Sequence, residues 1–353
     1  MTDPQEISAP EPIASVGVYY CPWYGDDFHG GSYLRAHLQP PQLPELGEYD
    51  DRCADVIAQH LRWSRDVNIS LWVASWWGPG RREDTTLLQH ILPHPDLPDM
   101  RIALFYETAG RVPSFTDVSN VAADIAYIAD HYFDDPTYLR IDDRPVLFVY
   151  LTRALSRHGT LEKVVTLMRD TTRKAGHEIY LVGDEVFGAP PDDSGSMGFL
   201  DAVTNYDVYG SMGGTGFAGQ QAVDDYYAAQ TKWRDQAKTA GAAFIPTVTP
   251  EFNDKGVRDG HAAVTRRLTE RDEYGSLFRA MLQQAVTLTD AAVGRLLLVT
   301  SWNEWHEDTQ IEPVVLSDPT RVDDSGDQYY TEGVDYEGYG NRYLRILKKE
   351  TTQ

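Results

Sequence analysis

Two glutamates stand three residues apart in the run Ser301-Trp302-Asn303-Glu304-Trp305-His306-Glu307. A carboxyl pair is what glycoside hydrolysis needs: one group protonates the leaving oxygen and the other acts as base or nucleophile. The bland reading is a surface Glu and a helix-start Glu, and the Trp, Asn and His around them argue against it. Glu107, Asp184, Glu185, Asp207 and Glu251 offer a second chemistry, an all-oxygen metal site. No ligand spacing fixes such a site, and neither an HxH nor an HExxH motif is present. Neither a metal nor a cofactor is therefore expected, and a metal-dependent enzyme acting on a non-sugar substrate stands as an alternative. No GxxxxGK[ST] loop, no GxGxxG after the first strand and no GxSxG elbow is present, which leaves nucleotide binding and serine hydrolysis without support.

The acids keep company with flat rings. Five of the eight tryptophans, Trp23, Trp76, Trp77, Trp302 and Trp305, fall in the same short stretches as the candidate carboxylates. A core role explains any single Trp, but not their clustering. A ring with apolar area and a polar handle suits the C–H face of a sugar.

These stretches follow a recurrent pattern. Eight short apolar runs, at 16–20, 69–74, 102–106, 146–151, 179–182, 202–205, 244–248 and 296–300, lack strict alternation, as strands buried on both faces do. Segments of helical period lie between them at 52–66, 84–91, 117–132, 160–175, 222–240, 273–290 and 336–348. On the third, Ala122, Ile125, Ala126, Ile128 and Ala129 predict an apolar stripe. Strand and helix alternating over this length predict an α/β fold, a single (β/α)8 TIM barrel. GAPPDDSGSMG, between the fifth and sixth strands, is too short and broken for a full helix, so the fifth helix is expected to be reduced. Residues 1–14 read as a polar tail, and 15–350 as one catalytic domain. The irregular segments 25–49, 207–221, 252–270 and 305–335 all follow strand ends, on the face where barrels build active sites.

Composition narrows the partners. With 31 Lys+Arg against 54 Asp+Glu the formal net charge is −23, a surface that repels phosphate backbones and anionic lipid. No nucleic-acid or membrane partner is expected. Asp outnumbers Glu 36 to 18 and Arg outnumbers Lys 24 to 7, a balance like that of proteins from salt-accumulating halophiles; an ordinary acidic bacterial protein is the alternative. Cys21 and Cys53 are too few for a disulfide framework, and Cys21 reads as a small buried residue. No signal peptide and no 18-residue apolar stretch is visible, so the expected location is the cytoplasm.

The run from Ser301 through Glu307 to Asp308-Thr309-Gln310-Ile311-Glu312-Pro313 resembles the signature of glycoside hydrolase family 99, whose members are endo-acting α-mannosidases on (β/α)8 barrels. Tyr19-Tyr20-Cys21-Pro22-Trp23-Tyr24, Ser75-Trp76-Trp77-Gly78, Phe105-Tyr106-Glu107 and the stretch from Thr249-Pro250-Glu251-Phe252-Asn253-Asp254 to Arg258 add to the likeness, which runs from about residue 16 to 347. It implies that Glu304 and Glu307 are the catalytic pair of a retaining enzyme that works through a 1,2-anhydro sugar. Glu304 would be the base at the 2-hydroxyl and Glu307 the acid and then base. The likeness further implies that Glu107 holds the reacting sugar's hydroxyls, and that Arg258, Tyr209 and Tyr20 contact substrate. Trp23, Trp76, Trp77, Trp302, Asn303 and His306 complete the expected cleft around an oligosaccharide or polysaccharide. Three departures stand out: Asp308 where the family usually has Gly, an inserted Cys21, and Arg258-Asp259-Gly260-His261 where the family continues R-P-W-N. A glycan-binding or polysaccharide-biosynthesis role within the same family is a further alternative.

Overall fold

The computed structural model describes residues 12–352 apart from 26–27, 29–36, 192–194, 213–215, 259–260, 329 and 332–335. Most of the expected tail, parts of the loops 25–49, 207–221, 252–270 and 305–335, and the middle of GAPPDDSGSMG thus lie outside the described residues. At the chain start, Ile13 N–H donates to Thr351 O (2.9 Å).

Eight parallel strands form the centre: β1 (Ser15–Tyr20), β2 (Ile69–Trp76), β3 (Arg101–Tyr106), β4 (Arg144–Val149), β5 (Tyr180–Asp184), β6 (Ala202–Thr204), β7 in two pieces (Ala243–Phe244 and Thr247–Val248) and β8 (Leu296–Val299). Neighbours in sequence are neighbours in the sheet, and β8 pairs with β1 in the register Ser15↔Leu296 to Val18↔Val299. The first piece of β7 pairs with β6 and the second with β8, so the ring closes through one interrupted strand. The interruption falls at Ile245-Pro246, where the proline lacks the N–H a ladder needs. The closed parallel ring with helices outside is the expected TIM-barrel architecture.

The helices around it include α1 (Ala54–Asp66), α2 (Arg82–Thr86, continued by a π turn over Leu87–Ile91), α3 (Val121–His131), α4 (Leu161–Lys174), α5 (Gly219–Ala240), α6 (Ser276–Ala285) and α7 (Arg342–Thr351). Among the described residues between β5 and β6 the helical segment is the 3-10 turn Met197–Phe199, so the fifth helix is reduced as the broken segment predicts. The stripe on α3 differs from expectation. Val121, Ile125, Ile128 and Ala129 are buried, whereas Ala122 and Ala126 face solvent, because the 3.6-residue period follows the larger side chains. The last helix starts six residues later than the 336–348 pattern suggests. Gly338 pairs with Ser317 there, and a Cβ on it would lie 2.0 Å from Val315 O.

Strand alternation sorts the core into two clusters. Tyr19, Val73, Phe105, Phe148, Val182 and Leu298 fill the barrel interior, while their neighbours Tyr20, Trp72, Tyr106, Leu147, Leu181 and Val299 pack under the helices. Residues just past a strand end keep this parity for one or two positions, and that decides which of them can reach the mouth of the barrel.

Candidate active site

A cleft of about 330 Å³ opens at the C-terminal ends of the strands. Its lining brings together Glu304 and Glu307 after β8, Glu107 after β3, Trp23 after β1, Trp77 after β2, and Tyr209 and Arg258 from the loops after β6 and β7. Seven of the twelve expected site residues therefore share one cavity.

The acids meet because the loop after β8 folds tightly on itself. Ser301 N–H donates to Thr309 O (2.8 Å), Thr309 N–H to Glu304 O (3.2 Å), and Glu304 N–H to Ser301 Oγ (2.8 Å). Asp308 closes the turn at φ 58°, in the left-handed region that Gly adopts without strain and Asp tolerates. That backbone requirement accounts for both residue types at this position.

The two glutamates lie in different surroundings. Glu304 is buried; its Oε1 accepts from His306 N–H (3.0 Å) and its Oε2 from the Cys21 thiol (3.6 Å). Glu307 Oε1 accepts from Arg258 Nη1 (2.6 Å), which also donates to Asp254 Oδ2 (2.9 Å). Burial and the neighbouring Glu304 nonetheless push the Glu307 carboxyl up, to about 8, against the pull of Arg258. A carboxyl in that range keeps a proton to give away at neutral pH.

Glu107 enters the same cleft from the exit of β3. It accepts from Ser75 Oγ (2.5 Å), whose oxygen in turn accepts from Trp77 Nε1 (3.0 Å). Gly110 lets the Trp77 ring lie close, since a Cβ there would come within 2.6 Å of Trp77 Cε3. Burial pushes Glu107 up to about 8 as well, with Glu307 and Glu304 adding to it and the Ser75 hydrogen bond opposing. Tyr209 stacks on Phe252 with ring centroids 3.3 Å apart and planes 4° from parallel. The cleft thus offers a proton donor, a carboxylate held by two donors, flat rings, and hydrogen-bonding groups.

Five expected contacts lie elsewhere. Tyr20 and Trp76 carry the outward parity of their strands. Tyr20 stacks on Trp72 (4.3 Å) and its hydroxyl meets His60 Nδ1 (3.1 Å), while Trp76 donates to Asp84 Oδ1 (2.9 Å). Trp302 is wholly buried against His60 and Trp63. Asn303 is buried too, and binds the backbone of Cys21. His306 stands beside the cleft, its ring stacked on Tyr24 (5.7 Å). Conversely, Phe105, Tyr150, Tyr206, Asp207 and His261 line the cleft. Strand parity could have pointed to Tyr150 and Tyr206, which sit at the strand exits on the side of Phe148 and Phe105.

The acids of the alternative metal reading are dispersed. Asp184 and Asp207 both bind Arg153, Glu251 binds Arg266, and Glu185 accepts from Ser156 Oγ (3.1 Å). Among the described residues no group of three or more His, Cys, Asp or Glu is arranged to hold a metal ion. No helix among them is long and apolar enough to cross a membrane.

Comparison with known proteins gives a consistent picture. The family model of Glycosyl hydrolase family 99 matches residues 15–348. A glycoprotein endo-alpha-1,2-mannosidase-like protein of Mus musculus is 25% identical over 89% of this chain and 74% of its own length. The glycoprotein endo-alpha-1,2-mannosidase of Mus musculus is 24% identical over 84% of this chain and 67% of its own. The solved structure of the GH99 endo-alpha-mannosidase from Bacteroides thetaiotaomicron superposes with a TM-score of 0.61 at 20% identity, covering 95% of this chain and 97% of the other. That likeness carries the fold, and the family match carries the class of activity: the chain belongs to glycosyl hydrolase family 99 and is a glycoside hydrolase.

Proposed function

We propose that the protein cleaves an α-mannose-type glycoside within an oligosaccharide, with retention, through a 1,2-anhydro sugar. Glu304 takes the proton of the sugar 2-hydroxyl as O2 attacks C1. The bond from C1 to the leaving oxygen breaks, and Glu307 delivers its proton to that oxygen. In the second step Glu307, now a carboxylate, takes a proton from water. The water oxygen attacks C1, the C1–O2 bond opens, and Glu304 returns its proton to O2. Two inversions at C1 give overall retention.

The observation that carries this reading is the unlike surroundings of the two carboxyls in one cleft. Glu304 is held by hydrogen-bond donors, as a resting base should be, and Glu307 is pushed up to about 8, as a resting acid should be. Glu107 lines the same cleft as both and can receive sugar hydroxyls. The mannosidase names of the relatives support the mannose-type substrate.

The test is to assay Glu304→Gln and Glu307→Gln on α-mannosides, with NMR of the first-formed anomer. Each change is expected to lower kcat by about 10³-fold, the scale of a positioned acid or base. Near-wild-type turnover in either variant, or an inverted first product, overturns the assignment.

A further inference from the structure

We propose that Cys21 is a positioning residue, its thiol, anchored by Asn303, fixing the direction of the Glu304 carboxylate. This rests on the reading of Glu304 as the base. Cys21 directly follows β1, and Asn303 grips its backbone on both edges. Asn303 Oδ1 accepts from Cys21 N–H (2.8 Å) and Asn303 Nδ2 donates to Cys21 O (3.1 Å). Asn303 is itself locked, since Nδ2 also donates to Tyr49 Oη (3.2 Å) and its carbonyl accepts from Tyr24 Oη (2.7 Å). The exits of β1 and β8 are thus joined one residue away from Glu304.

From that anchor the thiol of Cys21 reaches Glu304 Oε2 at 3.6 Å, while the N–H of His306 holds Oε1 at 3.0 Å. One donor leaves a carboxylate free to swing about its bond, whereas a donor on each oxygen fixes its plane. Burial, with Glu304, Glu107 and Glu307 close by, pushes the thiol well above its ordinary value, so it keeps the proton it donates. A thiol is a weak donor. It can orient a carboxylate while drawing little of the basicity that proton removal requires.

The experiment uses Cys21→Ala and Cys21→Ser in the full chain, both carrying Cys53→Ser, which removes the exposed thiol. Cys21→Ala is expected to lower kcat about tenfold with KM within about twofold, the signature of a misaligned base. Cys21→Ser, which keeps a donor, is expected to recover most of the loss. In the Cys53→Ser protein the remaining S–H stretch reports on Cys21 alone. Its infrared band is expected to lie below that of a free thiol and to move up in Glu304→Leu. Unchanged kcat in Cys21→Ala, or a band indifferent to residue 304, overturns the proposal. If the wild-type chain cleaves no α-mannoside, the functional reading fails, while the band still decides whether the thiol holds residue 304.

Discussion

The carboxylates at the mouth of the barrel divide into two regions that differ in how their charge is met. On the flanks Asp184 and Glu251 each have a buried arginine. Arg153 binds Asp184 and Asp207, and Arg266, wholly buried, binds Glu251, approaches Asp308 (3.8 Å) and lies over the rings of Tyr339 (4.7 Å) and Tyr343 (4.6 Å). On the floor Glu107, Glu304 and Glu307 lie in one cleft with Arg258, whose side chain is 51% exposed and which pairs with Glu307 and with Asp254. Compensated charges fasten the loops. Crowded and under-compensated, Glu107 and Glu307 are left with a shifted proton balance, and a shifted balance is what acid–base chemistry draws on.

The comparison breaks most sharply if the floor proves structural. Glu307→Gln is expected to abolish about three orders of magnitude of kcat while leaving the melting temperature at neutral pH nearly unchanged, because Glu307 already holds its proton there and an amide replaces one uncharged group by another. Wild-type kcat/KM is expected to fall as pH rises past about 8, where Glu307 loses its proton. A Glu307→Gln variant that is destabilised yet active would place Glu307 with the flank acids instead.

The flank should respond in the opposite sense. Arg266→Ala leaves Glu251 buried without its guanidinium and removes the hydrogen bond from Arg266 Nη1 to Gln310 O (3.0 Å). Breaking a buried pair in this way costs about 3–5 kcal/mol, readable as a lower denaturation midpoint. A melt within a degree or two of wild type would remove the distinction between the regions.

A smaller effect concerns pH and stability. Glu107 and Glu307 titrate near 8 in the folded chain, far above the ordinary carboxyl range. Between those limits the folded chain holds protons that the unfolded chain has released. The stability they contribute is full below the ordinary range and is lost as pH rises through about 8. Each group contributes a slope of at most about 1.4 kcal/mol per pH unit. Urea denaturation from pH 5 to 8 is expected to show falling stability, and Glu107→Gln is expected to flatten it. An unaltered slope would show that Glu107 is not held protonated.

How much of this was legible beforehand depends on which interactions are local. All eight strands could be read, since short apolar runs carry their own signal. So could the reduced fifth helix, from GAPPDDSGSMG, and the meeting of Glu304, Glu307, Glu107 and Arg258, because strand exits in a barrel share one face. Tyr20 and Trp76 fall outside the cleft because of strand parity: of two adjacent aromatic residues in a strand, one must face the helices. Trp302 lies in the loop beyond β8, where no period applies. The anchoring arginines could not be read at all. Arg153 is 31 and 54 residues from its partners and Arg266 is 15 from Glu251, and nothing in a single sequence joins them.

Salt offers the finest test of the two kinds of acidity. The net charge of −23 is spread mainly over exposed Asp and Glu, and at 1 M ionic strength the Debye length falls to about 3 Å. Self-repulsion of that surface is then screened, so the melting temperature is expected to rise between dilute buffer and 2 M NaCl. The floor carboxyls are buried and within a few ångströms of their partners, a range salt screens far less. The alkaline limb of the pH–rate profile is therefore expected to move little over the same change. Equal melting temperatures would remove the salt-adapted reading of the surface. A limb that moves with salt would mean that bulk ions reach the cleft acids, and that the floor and the outer surface are one electrostatic region after all.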